Sequence, residues 1–215
     1  MHQTWFTADT HFGHANIVKY SQRPFLSDDE WIKLKADPRG PWKVSRETID
    51  LHDEQLILAI NDLVQPDDEL WFLGDFCWGK EKAASEYLDR IHCRNCHLVW
   101  GNHDHSTVGS QFKSTMHQGM IRVQGQLIWL NHYPMRSWDG RFHGSWHLYG
   151  HVHNRFTSLD EQSPHSLTRD VGVDACNYKP ISFDQLAEYM QPRTIAFNEV
   201  RNRVMKGDSV DVYID

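Results

Sequence analysis

An α/β fold is predicted by three features of this 215-residue chain. Short apolar runs alternate with amphipathic helical stretches through roughly the first hundred residues, the order expected when strands line up beneath helices. Past residue 120 strands dominate, so the later part of the fold should be antiparallel or mixed. Finally, five apolar runs stop abruptly in polar residues, as buried strands do where they deliver loops to one sheet edge.

The first strand is read at Thr4–Ala8, and Asp9-Thr10-His11-Phe12-Gly13-His14 follows it. Ser27 and Glu30 form a capping box for a helix from Asp28 to about Ala36, which Pro38-Arg39-Gly40-Pro41 ends. Residues 26–46 have little periodicity and read as an excursion from the core, a lid or a dimer contact. Leu56, Ile60, Leu63 and Val64 recur at helical spacing within a helix over 48–64. The strand Leu70–Leu73 stops at Gly74-Asp75, and a helix over about 80–91 precedes the strand Leu98–Trp100. A hairpin at 121–130 turns on Gln124-Gly125 and delivers Asn131-His132. The strand Trp146–Tyr149 delivers Gly150-His151-Val152-His153, and Val171–Val173 reads as another strand. Ser182 and Gln185 cap a helix to about Met190, and Ile195–Val200 and Val210–Ile214 read as edge strands. No linker divides the chain, so a single domain over 1–215 is expected.

Composition narrows the function. The net charge is −7, which disfavours long duplex nucleic acid as a partner. No run approaches the ~18 apolar residues of a membrane span, and the first residues carry no signal-peptide pattern, so a soluble cytoplasmic protein is expected. No oligomeric state is assigned. The four cysteines form no dense framework, and Cys93 and Cys96 lack a second pair to complete a zinc site; reduced thiols are expected.

Fifteen histidines stand out, because many sit beside Gly, Asp or Asn rather than in apolar stripes. The strand ends deliver Asp9 and His11, Asp75, Asn102 and His103, His132, then His151 and His153. Taken singly, each is an ordinary turn or surface residue. Five strands ending in ligand-competent residues are harder to dismiss. Carboxylate and imidazole donors without thiolates suit Zn, Mn, Fe or Ni. Asp-x-His and His-x-His place both side chains on one face of an extended segment. Eight candidate donors, or seven if His103 is left for chemistry, exceed the need of one tetrahedral ion, so two ions sharing a carboxylate fit better.

Asp9-Thr10-His11, Gly74-Asp75, Gly101-Asn102-His103-Asp104, His132 and Gly150-His151-Val152-His153 together resemble the motif set of the calcineurin-like metallophosphoesterases, in order and spacing. Residues 9–25 and 132–153 are most similar to small bacterial and phage members. The resemblance implies a four-layered α/β/β/α sandwich of two mixed sheets with a dinuclear metal site at the strand ends. One ion would take Asp9, His11, Asp75 and His153; the other would take the shared Asp75, Asn102, His132 and His151. The implied cofactors are two divalent ions, Mn²⁺ first, with Ni²⁺, Fe²⁺ or Zn²⁺ as alternatives. The implied reaction is hydrolysis of a phosphoester by a metal-bridging hydroxide, with His103 as general acid and Asp104 orienting its loop or ring.

His14, Asn16, Arg23, Arg136 and Arg141 are candidate substrate contacts, the arginines as bidentate phosphate ligands. The expected substrate is a phosphodiester or other small phosphate ester, nucleotides included. A phosphomonoesterase is the runner-up. A catalytically idle metal-binding scaffold would be expected to have lost ligands or the general acid, and here both persist. A metallo-β-lactamase-like hydrolase lacks its His-x-His-x-Asp-His run, since Asn154 and Arg155 follow His153.

Overall fold

A computed structural model describes residues 2–156 and 163–209. Nine strands are described: β1 (Thr4–Thr7), β2 (Glu69–Phe72), β3 (Asn95–Val99), β4 (Ser114–Met116), β5 (Gln118–Val123), β6 (Gln126–Asn131), β7 (Trp146–Tyr149), β8 (Thr168–Asp170) and β9 (Ile181–Ser182). The described helices are α1 (Ala15–Tyr20), α2 (Asp28–Ala36), α3 (Arg46–Leu63), α4 (Glu81–Leu88) and α5 (Phe183–Met205). The fold is an α/β sandwich of two mixed sheets. The first runs β4-β3-β2-β1-β9, parallel except for β9, and the second runs β5-β6-β7-β8, with only the β5–β6 hairpin antiparallel.

Alternation along the strands explains the layering. Phe6, Trp71 and Val99 on one face of the first sheet join Ile128, Leu130 and Leu148 of the second in a shared core. Leu70, Phe72 and Leu98 point the other way, onto Leu56, Ile57 and Ile60 of α3 and Ala84 near α4's middle. Every parallel pair near the centre runs the same way, so the C-terminal ends of β1, β2, β3, β6 and β7 open on one rim.

The excursion is ordered. The Ser27–Glu30 capping box starts α2 as expected. Leu26, Leu34 and Val44 pack with Ile17 and Val18 of α1 and Ile49 of α3 in a small satellite core.

One expectation fails at the end of the chain. Ile195–Val200 is not an edge strand; α5 continues through Pro192 to Met205. Leu186, Met190 and Phe197 recur on one face and are fully buried in the shared core, which outweighs the roughly 3 kcal/mol a mid-helix proline costs. Val210–Ile214 lies outside the described residues. No strand covers the expected 171–173: β8 stops just before it, at Asp170, and Gly172 forms an isolated bridge with Ala8, the residue after β1. That bridge fastens the two sheets together beside the rim. Among the described residues, no helix is long and apolar enough to cross a membrane.

Candidate metal centre

All seven expected ligands meet at the rim. Asp9, His11 and His153 bring donor atoms within 4.8 Å of one another, and so do Asp75, His132 and His151; each group could hold a metal ion. The first sheet supplies Asp9, His11, Asp75 and Asn102, and the second supplies the three other imidazoles. Asp75 Oδ2 lies 3.4 Å from His11 Nε2 and 3.4 Å from His132 Nε2, between the two groups. Asn102 Oδ1 is 3.0 Å from His132 Nε2.

The backbone reason for this convergence differs from the one the sequence suggested. Asp9 (φ 56°), His11 (φ 48°), Asp75 (φ 55°), His151 (φ 70°) and His153 (φ 47°) all adopt left-handed conformations. They are not alternate residues of extended strands, and their side chains are aimed by tight turns that begin where each strand stops. A non-glycine residue in this region carries strain that surrounding contacts must hold, a feature concentrated at functional sites. The glycines in the motifs have a complementary reason. A Cβ on Gly101 would fall 2.3 Å from Asp75 Oδ1, and one on Gly150 would fall 2.6 Å from Asp9 Oδ2. Glycine is needed because a candidate ligand carboxylate packs on the backbone at each position.

The donor set fits a cation. His11 Nε2 is buried and has no hydrogen-bond partner. Burial pushes the His11 imidazole down to about 2, so the ring is neutral and keeps a lone pair. Burial likewise pushes the Asp9 carboxyl up to about 7, despite attraction from His153 and His132. A carboxylate in that setting needs positive charge to stay ionised. His132 Nδ1 donates to the Leu73 carbonyl at 2.8 Å, which turns Nε2 toward the oxygens of Asn102 and Asp75. With acceptors on three sides, that point holds either a proton or a metal ion.

Beneath the ligands lies a support that the sequence reading did not identify. His153 Nδ1 donates to Asp174 Oδ2 at 2.7 Å, the carboxylate–histidine arrangement that orients metal-binding rings. Asp170 accepts from the Asn154 and Gly172 amides, steadying the turn that carries His153. The signal for Asp174 was present, since it ends the run Val171-Gly172-Val173 just as Asp75 and His132 end theirs.

Arg23 is corrected. It does not face substrate: it is fully buried and donates to both oxygens of Asp174 and to the carbonyls of Asp9 and Thr10. Its remaining N–H meets His52 Nε2 at 2.7 Å, so all five donors are spent inside the protein. Arg141 is likewise misplaced by the sequence reading. Its guanidinium lies 5.5 Å from the Trp138 ring and 5.7 Å from Phe197, near the start of β7 and away from the rim. Arg136 and Asn16 are exposed, on the 133–145 loop and on the first turn of α1.

His14 is at the centre, with its ring 5.4 Å from that of His11 and 6.0 Å from that of His103. The His103 ring is exposed, 5.4 Å from His11, while its backbone amide donates to Asp75 Oδ1 at 2.8 Å. Asp104 is engaged with backbone amides. Its carboxylate accepts from the amides of Asp75, Phe76 and Gly101, pinning the β2 and β3 turns together. It is a positioning residue. His147 is buried, with Nδ1 toward the Trp129 carbonyl and Nε2 accepting from the Met135 amide, in keeping with a structural role. Cys93 and Cys96 are free, buried thiols.

No family model matches the sequence. The uncharacterized protein MJ1445 of Methanocaldococcus jannaschii is 30% identical over 194 residues, 89% of this chain and 93% of that protein. The chain belongs to the family of that protein. Gene 66 protein of Mycobacterium phage L5 is 26% identical over 206 residues, covering 81% of this chain and 88% of its own. The gene 66 protein of Mycobacterium phage D29 is 25% identical over 204 residues, 81% and 89% of the two chains. Among solved structures, the protein of unknown function AQ665 from Aquifex aeolicus superposes with a TM-score of 0.59 at 22% identity, over 87% of this chain and 99% of that one. That likeness shows a shared fold.

Proposed function

We propose that this protein is a metallophosphoesterase that uses two divalent metal ions to hydrolyse phosphodiesters. The observation that carries the reading is the place of Asp75 Oδ2, 3.4 Å from an imidazole nitrogen on either side. Ligands bonded at 2.0–2.1 Å to one tetrahedral ion lie about 3.3 Å apart, so this carboxylate is spaced to serve both groups. Asp9, His11, Asp75 and His153 would hold one ion; Asp75, Asn102, His132 and His151 would hold the other. Ions bound there supply Lewis acidity to a phosphoryl group and lower the pKa of water to make a nucleophile near neutral pH.

The protein's own groups do the rest. His103 stands exposed above the shared carboxylate on a backbone fixed by Asp75 and Asp104, where its ring can protonate a departing ester oxygen. His14 Nδ1 is buried without a hydrogen-bond partner, and burial pushes the ring down to about 4, so it meets substrate as a neutral group. Of the three arginines that could clamp a monoester dianion, Arg23 lies beneath the site and Arg141 beyond it, and Arg136 alone stays exposed on the loop after His132. That arrangement favours the singly charged diester.

Protein stripped of metal should regain hydrolysis of an aryl phosphodiester on addition of Mn²⁺ or Ni²⁺. Bound metal without turnover across Mn²⁺, Ni²⁺, Fe²⁺ and Zn²⁺ would replace this reading with that of a metal-binding scaffold.

A further inference from the structure

Two aromatic surfaces flank the candidate centre, one beside each ligand group. On one flank Trp78 is 56% exposed. Its ring lies flat on His14, with centroids 4.4 Å apart and planes 6° from parallel. His14 in turn borders His11 and His103. On the other flank Tyr133 is 44% exposed, and its ring packs 5.0 Å from His132 and 4.6 Å from His151. Tyr133 also lines a cleft of about 410 Å³ with Trp100 and His117, whose rings are 6.2 Å apart. That volume is in the range of small-ligand clefts, about 300–1,000 Å³. Its floor includes Gly101, the residue before the ligand Asn102.

We infer that these surfaces bind the two bases of a dinucleotide, the Trp78–His14 stack taking one and the Tyr133 cleft the other, with the connecting phosphodiester between the ligand groups. This rests on the phosphoesterase reading above and names its substrate class. A diester has a substituent on each side of phosphorus, and here each side meets planar rings. Nucleobases are the flat groups that phosphodiesters carry, and aromatic platforms stack them with little regard to sequence. The Trp78–His14 pair is already parallel, so a base on the free face of Trp78 would extend an existing stack. The net charge of −7 works against a long polyanion, which points to two linked nucleosides or a short oligonucleotide. In the reaction, water adds to phosphorus and the P–O bond to one nucleoside breaks. The departing oxygen takes the proton from His103, leaving a nucleoside and a nucleoside monophosphate.

Two measurements test this. The first is the ratio of kcat/KM for adenylyl-adenosine to that for methyl 4-nitrophenyl phosphate, in metal-loaded protein. Trp78→Ala and Tyr133→Ala should each lower the ratio about tenfold, the scale of one lost base–aromatic stack, and Trp78→Phe and Tyr133→Phe should restore most of it. The second needs no turnover. Calorimetry of metal-stripped protein with the uncleavable dinucleoside methylphosphonate should show binding that either alanine variant weakens by a similar factor. Turnover of the methyl ester with an unchanged ratio and unchanged binding would overturn the base platforms while leaving the phosphoesterase reading in place. No turnover of either diester, with metal bound, would fail the phosphoesterase reading, and the methylphosphonate titration would then decide the platforms alone.

Discussion

Asp174 and His153 share a 2.7 Å hydrogen bond, and the same carboxylate receives both sides of the buried Arg23 guanidinium. The carboxyl is held down to about 2: burial alone would raise it, and the bonds from His153 and Arg23 outweigh that effect. It is therefore a permanent anion behind a candidate metal ligand. Asp174→Asn keeps the shape and removes the charge. Metal affinity should fall about 10- to 100-fold, read by competition with a chelator. Unchanged affinity would remove Asp174 from the design of the site.

Arg23 makes a separate prediction. Replacing it with Met leaves Asp174 buried without its main counter-charge and frees the carbonyls of Asp9 and Thr10. Denaturant unfolding should show a loss of about 3–5 kcal/mol. A normal unfolding midpoint with a raised KM would instead restore Arg23 to the substrate-binding role first expected of it.

His103 is attached to the centre through its backbone, so His103→Ala keeps the amide that donates to Asp75. Metal content should be unaffected. Turnover of diesters with alkoxide leaving groups should drop about 10²- to 10⁴-fold, and turnover of nitrophenyl esters much less, because nitrophenolate leaves without a proton. Loss of metal from the variant would mean that His103 is a ligand.

Gly101→Ala tests the close packing of backbone against carboxylate. The added methyl would meet Asp75 Oδ1 at 2.3 Å and its amide nitrogen at 2.4 Å, so Asp75 or the 101–104 turn must move. A loss of stability of about 1–3 kcal/mol or more is expected, together with reduced metal loading at both groups. Full loading in a metal analysis of the purified variant would show that Asp75 is not fixed by this contact.

Glu30 supplies an acid-sensitive tie remote from the candidate metal centre. Burial would raise its pKa, but bonds from Thr48, Ser45 and Ser27 outweigh this and bring it down to about 2, from an ordinary 4.5. A carboxyl depressed on folding stabilises the protein above its ordinary pKa and loses that contribution as pH falls toward the depressed value. The difference in stability between wild type and Glu30→Gln should accordingly be full at pH 5–7 and shrink between pH 4.5 and 2. A constant difference across that window would show that Glu30 does not titrate with folding.

Much of this site was legible because its signal is local. A glycine with a ligand after it, at the end of an apolar run, marks a place where backbone and carboxylate touch. Gly101 and Gly150 carry that signal in one position each. The layout of α3 was equally plain from the spacing of Leu56 and Ile60. The supports were harder to read, because Arg23 and Asp174 are 151 residues apart in the chain and acquire their roles only by meeting. The left-handed turns at Asp9, His11 and Asp75 were also hidden, since Asp-x-His looks the same in an extended strand. The second half of α5 was misread because β-branched residues after Pro192 resemble a strand, while the burial of Phe197 depends on a core assembled from both sheets.

The seam between the sheets has a consequence for synthesis. Each ligand group needs an imidazole from the loop that follows β7, His153 for one and His151 for the other. A chain released by the ribosome before residue 151 would carry every ligand of the first sheet and still be unable to complete either group. Any capacity of these groups to hold metal would thus arrive late in synthesis, once the loop after β7 has been made.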